Sequence, residues 1–75
     1  MGGMSRGAEI PYVTVANAVR ARLDAGEWLP GEALPSVVKL GAQYGVSSAT
    51  AARAVKILVA EGRLTTVRSW GTFVV

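Results

Sequence analysis

Leu34-Pro35-Ser36, then Gly45-Val46-Ser47, then Trp70-Gly71-Thr72-Phe73-Val74 are the stretches whose reading decides the fold. Ser36 stands directly before an apolar series, Val37, Val38, Leu40 and Tyr44. A serine there accepts from the free N–H groups of a first helical turn, so it marks an N-cap and predicts a short helix over about 37–44. Gly45 supplies a positive φ for the turn that follows, and Val46 is placed to anchor that turn in a core. Ser47 is the next N-cap, of a helix predicted over about 48–60 and ended by Gly62. Ala51, Ala54, Val55 and Leu58 recur at helical spacing as its inner stripe.

Upstream, Tyr12, Val15, Val19 and Leu23 recur at three- and four-residue steps with Ala16 on the same side. They predict an amphipathic helix over about 12–25, opened by Pro11 and stopped by Gly26. Pro30-Gly31 reads as a turn, and Trp28-Leu29 as a very short strand that pairs with a later hairpin. Downstream, 63–67 and 72–75 are β-prone runs separated by Arg68-Ser69-Trp70-Gly71. That is a hairpin, with Leu64 and Phe73 expected to face the helices. The order is helix, short strand, helix, helix, strand, strand. The fold class is mainly α with a small β-wing, a winged helix-turn-helix of three helices and a two- or three-stranded antiparallel wing. It fills residues 11–75, behind a glycine-bearing stretch over 1–10 read as a flexible tail.

Composition narrows the chemistry. The chain has 75 residues, no cysteine and no histidine. A disulfide framework, a thiolate metal site, the common zinc ligands and the common general base are therefore missing. Glu9, Asp24, Glu27, Glu32 and Glu61 are scattered and form no acid–base pair. The reading is no enzyme, no metal and no cofactor. No apolar run approaches the ~18 residues of a membrane span, and the N-terminus has no signal-peptide core, so a cytoplasmic, nucleoid-associated protein is expected.

Eight Lys plus Arg against five acids give a net charge of +3. Lys39, Arg53, Lys56, Arg63 and Arg68 lie in the second half, where Glu61 is the only acid. A domain with one basic side suits a polyanion. The helix over 48–60 turns Ser48, Ala49, Thr50, Ala52, Arg53 and Lys56 outward, the end of a helix-turn-helix that reaches base edges. Thr50 is the base-edge candidate, against a plain exposed threonine, because its hydroxyl and methyl both find partners on bases. Ala49 offers apolar contact. Arg53 suits a phosphate or a guanine, against simple solvation. Ser36 and Ser47 are caps whose helix ends also suit phosphate. Lys39, Lys56 and Arg68 are generic phosphate candidates. Gly71 and Thr72 complete the wing. Trp70 has two readings, a place on the sugar-phosphate backbone of the minor groove or, the favoured one, packing back onto Trp28 and the wing.

In order and spacing, Arg20-Ala21-Arg22-Leu23 with Gly26, Pro30-Gly31, Leu34-Pro35-Ser36, Gly45-Val46-Ser47, Ala60-Glu61-Gly62 with Leu64, and Gly71-Thr72-Phe73-Val74 resemble the winged-helix DNA-binding domain of the GntR family of bacterial transcription regulators. The resemblance covers about residues 12–75. It implies duplex DNA binding by a transcription regulator, most often a repressor, with the helix over 48–60 in the major groove and the wing over 68–72 beside it. It also implies a homodimer on a palindromic operator. Ser36, Ser47, Thr50, Arg53, Gly71 and Thr72 match the family's pattern. Val38, Ser48 and Ala52 stand where the family usually has arginines that contact operator DNA. Ser69 stands where its wing usually has glycine, and Trp70 where a basic residue is frequent. These departures imply a different sequence read, weaker binding, or another use of the surface.

Family members usually continue past the wing into an effector-binding or dimerisation domain. Any effector response is therefore expected through such a domain or a partner, with no metabolite bound by these residues. The rival reading is a protein-interaction or self-association module, with Val37, Val38 and Trp70 as its apolar patch. Retention on duplex DNA against salt separates the two.

Overall fold

The computed structural model describes residues 10–75. The tail expected over 1–10 lies, Ile10 apart, outside the described residues. Three helices precede a two-stranded antiparallel sheet: α1 (Pro11–Asp24), α2 (Val37–Tyr44), α3 (Ser48–Ala60), β1 (Leu64–Val67) and β2 (Gly71–Val74). The bounds of α2 and α3 are those predicted from the caps. α1 begins and ends one residue earlier than its apolar stripe implied. Pro11 is itself the first helical residue, and the Ile10 carbonyl accepts from the N–H groups of Val13 at 3.1 Å and Thr14 at 3.0 Å. A proline is at home there because its missing N–H is one the helix leaves unbonded anyway.

α3 is the central helix and packs against both α1 and α2. The core is Val15, Ala16, Val19 and Leu23 of α1, Leu34, Leu40 of α2, Ala51, Ala54, Val55 and Leu58 of α3, and Leu64 of β1. These are the predicted stripes, with Tyr12 left half-buried at the edge. Three of the eleven, Ala16, Ala51 and Ala54, are alanines, so the helices approach closely around Leu40 and Leu58, which are fully buried. Truncating either leucine to alanine would cost about 2–5 kcal/mol.

The turn between α2 and α3 shows what close approach requires. Gly45 caps α2 at φ 69°, in the left-handed region that only glycine enters without strain. Gly41, one turn earlier, is buried, and a Cβ added there would lie 2.6 Å from the Val46 carbonyl oxygen. Val46 packs against the core as expected.

Two expectations for the β region are corrected. Trp28-Leu29 do not form the short strand. Glu32 to Leu34 take that place: Ala33 bridges Phe73, the Leu34 N–H donates to the Thr72 carbonyl at 2.9 Å, and the Val74 N–H donates to the Glu32 carbonyl at 2.9 Å. Trp28 instead packs against the core below the end of α1. Its pairing was misplaced because the Pro30-Gly31 turn comes before the paired residues, not after them. Phe73 also faces the other way from Leu64. The register pairs Leu64 with Val74 and Thr65 with Phe73, so Val74 shares the inner face with Leu64. Alternation along a strand makes this an either-or outcome: a one-residue change of register exchanges every inward and outward side chain.

Candidate nucleic-acid interface

Each helix of the helix-turn-helix pair opens with the predicted cap. The Ser36 hydroxyl oxygen accepts from the Lys39 N–H at 3.2 Å, and the Ser47 hydroxyl oxygen accepts from the Thr50 N–H at 3.1 Å. The Ser47 hydroxyl also donates to the Thr50 hydroxyl oxygen at 3.0 Å. Thr50 is thereby held in one orientation while keeping its own proton for a further acceptor. It is half-buried, whereas Ser48, Ala49, Arg53 and Lys56 are exposed on the same helix. Ala49, Arg53 and Lys56 recur at steps of four and three, so one outward stripe of α3 runs from a small residue to two cations.

Arg53 is positioned rather than free in solvent. Its guanidinium lies over the ring of Tyr12, with Cζ 4.4 Å from the ring centroid. A planar guanidinium stacked by one face keeps its N–H edge available for a bidentate acceptor. The sequence reading placed Tyr12 in the apolar stripe of α1 and missed this contact. The partners are 41 positions apart, and no local signal joins them.

The remaining arginines are tied elsewhere. Arg20 grips Glu61 through two bonds, Nη2 to Oε2 at 2.6 Å and Nε to Oε1 at 3.1 Å, and donates to the Asn17 side chain at 2.7 Å. Arg22 pairs with Glu27, donates to the Tyr44 hydroxyl at 2.8 Å and the Gln43 side-chain Oε1 at 3.0 Å, and lies 4.3 Å over the Trp28 ring. Arg63 pairs with Asp24 at 2.7 Å. The bonds from Arg20 and Arg22 hold Glu61 and Glu27 below the usual carboxylate range and raise the two guanidiniums further. Of Asp24, Glu27, Glu32 and Glu61, three are thus neutralised by arginines of α1 and of the α3–β1 turn. Glu32 accepts from the Leu29 N–H at 2.7 Å. Among the described residues, Lys39, Arg53, Lys56 and Arg68 are left without a carboxylate partner, on α2, α3 and the wing.

The wing tip is the turn from Val67 to Gly71. The Trp70 N–H donates to the Val67 carbonyl at 3.0 Å, and Ser69 sits at φ 68°. A positive φ at the second central residue is the requirement of a type II turn, normally met by glycine or asparagine. Ser69 therefore holds a backbone conformation that suits glycine better than serine. Arg68, Trp70 and Gly71 are exposed and Thr72 is half-buried. Trp70 does not pack on Trp28. It is 77% exposed, a correction to the favoured reading. The tip lies beyond the last paired residues, Val67 and Gly71, and no part of the helical body covers it. Of the apolar patch in the rival reading, Val37 packs against the core, while Val38 and Trp70 are exposed.

An open groove of about 510 Å³ runs between the 33–36 segment and α2, with Lys39 as its one charged lining group. Among the described residues, no cluster of metal-ligating side chains occurs and no helix is long and apolar enough to cross a membrane.

The sequence model of the gntR family of bacterial regulatory proteins matches residues 11–74. The chain belongs to the GntR family. Among curated GntR-like relatives, the histidine utilization repressor of Klebsiella aerogenes is 39% identical over 70 residues, covering 92% of this chain and 29% of the repressor. The mannosyl-D-glycerate transport/metabolism system repressor MngR of Escherichia coli (strain K12) is 35% identical over 63 residues, covering 84% of this chain and 26% of the repressor. This GntR-family chain thus spans under a third of the length of those relatives. In three dimensions it is similar to the DNA-binding domain of AraR in complex with operator ORX1, with a TM-score of 0.87 at 32% identity over 100% of this chain and 90% of that one. The AraR domain in complex with operator ORR3 gives a TM-score of 0.83 at 34% identity, over 87% and 78%. The expected winged helix-turn-helix is the fold of this GntR-family domain.

Proposed function

We propose that this chain is the operator-binding module of a bacterial transcriptional repressor. α3 enters the major groove, and the wing over 68–72 lies beside it on the backbone and minor groove. The observation that carries this reading is the sorting of charge. Arg20, Arg22 and Arg63 are consumed by Glu61, Glu27 and Asp24, while Lys39, Arg53, Lys56 and Arg68 remain open on the helix-turn-helix and wing. A fold that neutralises its cations on one set of elements and leaves them bare on another suits a phosphate backbone. Similarity to AraR domains described with their operators supports the same use of the surface.

In this reading Ser36, Lys39, Ser47, Lys56 and Arg68 hold phosphates. Thr50 and Arg53 meet base edges, Ser48 and Ala49 contact the groove beside them, and Gly71 and Thr72 shape the wing. The working unit is a homodimer on a palindrome with half-sites about one helical turn apart. It acts in the cytoplasm on the nucleoid, and effector sensing belongs to another domain or partner. The module catalyses no reaction.

Chemical-shift mapping of the chain with duplex DNA tests this directly. Shifts should centre on 36–39, 47–56 and 68–72 and weaken steeply with added salt. Shifts confined to α1, or none at low salt, would refute the reading.

A further inference from the structure

Trp70 is the one aromatic side chain of this protein left almost bare. Tyr12, Trp28, Tyr44 and Phe73 are all half-buried. The tip that carries it is ordered by the Trp70–Val67 hydrogen bond and by the Val67–Gly71 pair, so the indole is presented on a fixed turn. The hairpin that carries it is one-signed in sequence: residues 62–75 include no acidic side chain, and Arg68 lies two positions before it. An indole in water is a cost that burial against a partner removes. A partner surface that is anionic at its rim and apolar within matches Arg68 and Trp70 together. The minor groove of duplex DNA has phosphate edges and sugar walls, and it offers apolar base faces where a step opens.

Resting on the DNA-binding reading above, we infer that Trp70 is a wedge. Arg68 holds a phosphate at the rim, the indole enters the minor groove, and one base step is partly unstacked so that the duplex kinks away from the wing. Pyrimidine–purine steps unstack most easily, so Trp70 adds sequence preference at a step that no hydrogen bond reads. This offers contact area that the arginine-poor face of α3 does not supply.

The test uses a duplex that the chain itself selects from a random pool, with dyes at its ends, and the Trp28→Phe chain, in which Trp70 is the only indole. Adding this duplex should quench Trp70 emission and shorten the dye-to-dye distance. Trp70→Ala should abolish the bend and weaken binding by about tenfold, the loss of one stacked aromatic. Should Trp28→Phe not fold, fluorotryptophan in the unaltered chain reports Trp70 by its own fluorine resonance, which should shift on binding. Duplex binding with the Trp70 signal unchanged, or an equal bend with Trp70→Ala, overturns the wedge while leaving the DNA-binding reading intact. A self-associated species in ultracentrifugation that Trp70→Ala dissolves, with DNA affinity unchanged, overturns it in favour of a protein contact. Absence of any duplex binding at low salt removes both readings together.

Discussion

The Arg53 guanidinium rests on the Tyr12 ring, 4.4 Å from its centroid, and so joins the start of α1 to the outward stripe of α3. Arg53 makes no ion pair among the described residues, and its guanidinium stacks on the ring. Its direction is therefore set by an aromatic face, which orients the cation without neutralising it.

Replacing Tyr12 tests that role. Tyr12→Phe keeps the ring and should bind a selected duplex as the parent does. Tyr12→Leu removes it and should weaken binding about two- to fivefold, matching ~0.5–1 kcal/mol for an exposed stack. Fluorescence anisotropy with labelled duplex measures both. Equal affinities for the two variants would show that the ring does not steer Arg53.

Thr50 and Arg68 should separate base reading from phosphate contact. Thr50→Gln removes the partner of the Ser47 hydroxyl and fills the groove side of α3, so the preferred sequence should change. Arg68→Ala should instead weaken selected and random duplexes alike and reduce the salt slope by about one phosphate, roughly 0.9 in the log–log plot. Selection from a random pool reads the first, and a salt titration the second. Equal loss on selected and random duplexes after Thr50→Gln would contradict its base-edge role.

Ser69 occupies the left-handed region at φ 68°. A side chain there costs roughly 1–2 kcal/mol, partly offset because serine restricts the unfolded chain more than glycine does. Ser69→Gly should gain up to about 1 kcal/mol, a rise of about 4–8 °C in Tm for a domain of this size. Calorimetry measures it, and a lower Tm would show that the Ser69 side chain makes a compensating contact.

Gly41 should tolerate nothing larger. In Gly41→Ala the new Cβ meets the Val46 carbonyl oxygen at 2.6 Å, and backbone, not a flexible side chain, would have to move. Overpacking of this kind costs about 1–3 kcal/mol, against about 1 kcal/mol gained from alanine's helix propensity. The expected result is a net loss of stability and, because the turn sets the angle of α3, weaker duplex binding. Chemical denaturation and anisotropy check the two effects.

Acid should destabilise the fold only below the ordinary carboxylate range. Glu27 and Glu61 have lowered pKa values because Arg22 and Arg20 hydrogen-bond their charged forms. Their stabilisation is present above the unfolded value of 4.5 and is lost as pH falls through the lower folded value. The chain has no histidine. Tm should therefore be flat between about pH 6 and 8 and fall below about pH 4.5. Glu61→Gln should lessen the acid dependence. A transition near pH 6.5 would contradict this account.

The sequence by itself determined the helical frame and the turns. Ser36 and Ser47 bond N–H groups three residues on, Gly45 bends the chain where it stands, and the apolar stripes of α1 and α3 repeat within single helices. All of these are settled between neighbours, and all were legible. Only the tertiary structure decided that Glu32–Leu34 rather than Trp28-Leu29 joins the hairpin, that Val74 rather than Phe73 turns inward, that Trp70 stays in solvent, and which arginines are spent on Glu61, Glu27 and Asp24. Strand register is a choice between two faces that hydrophobicity alone does not distinguish when Thr72, Phe73 and Val74 follow one another. Arg20–Glu61 and Arg53–Tyr12 join residues 41 positions apart. Such partners meet only after the helices have packed, so the charge left over for DNA is a property of the assembled fold and not of any segment.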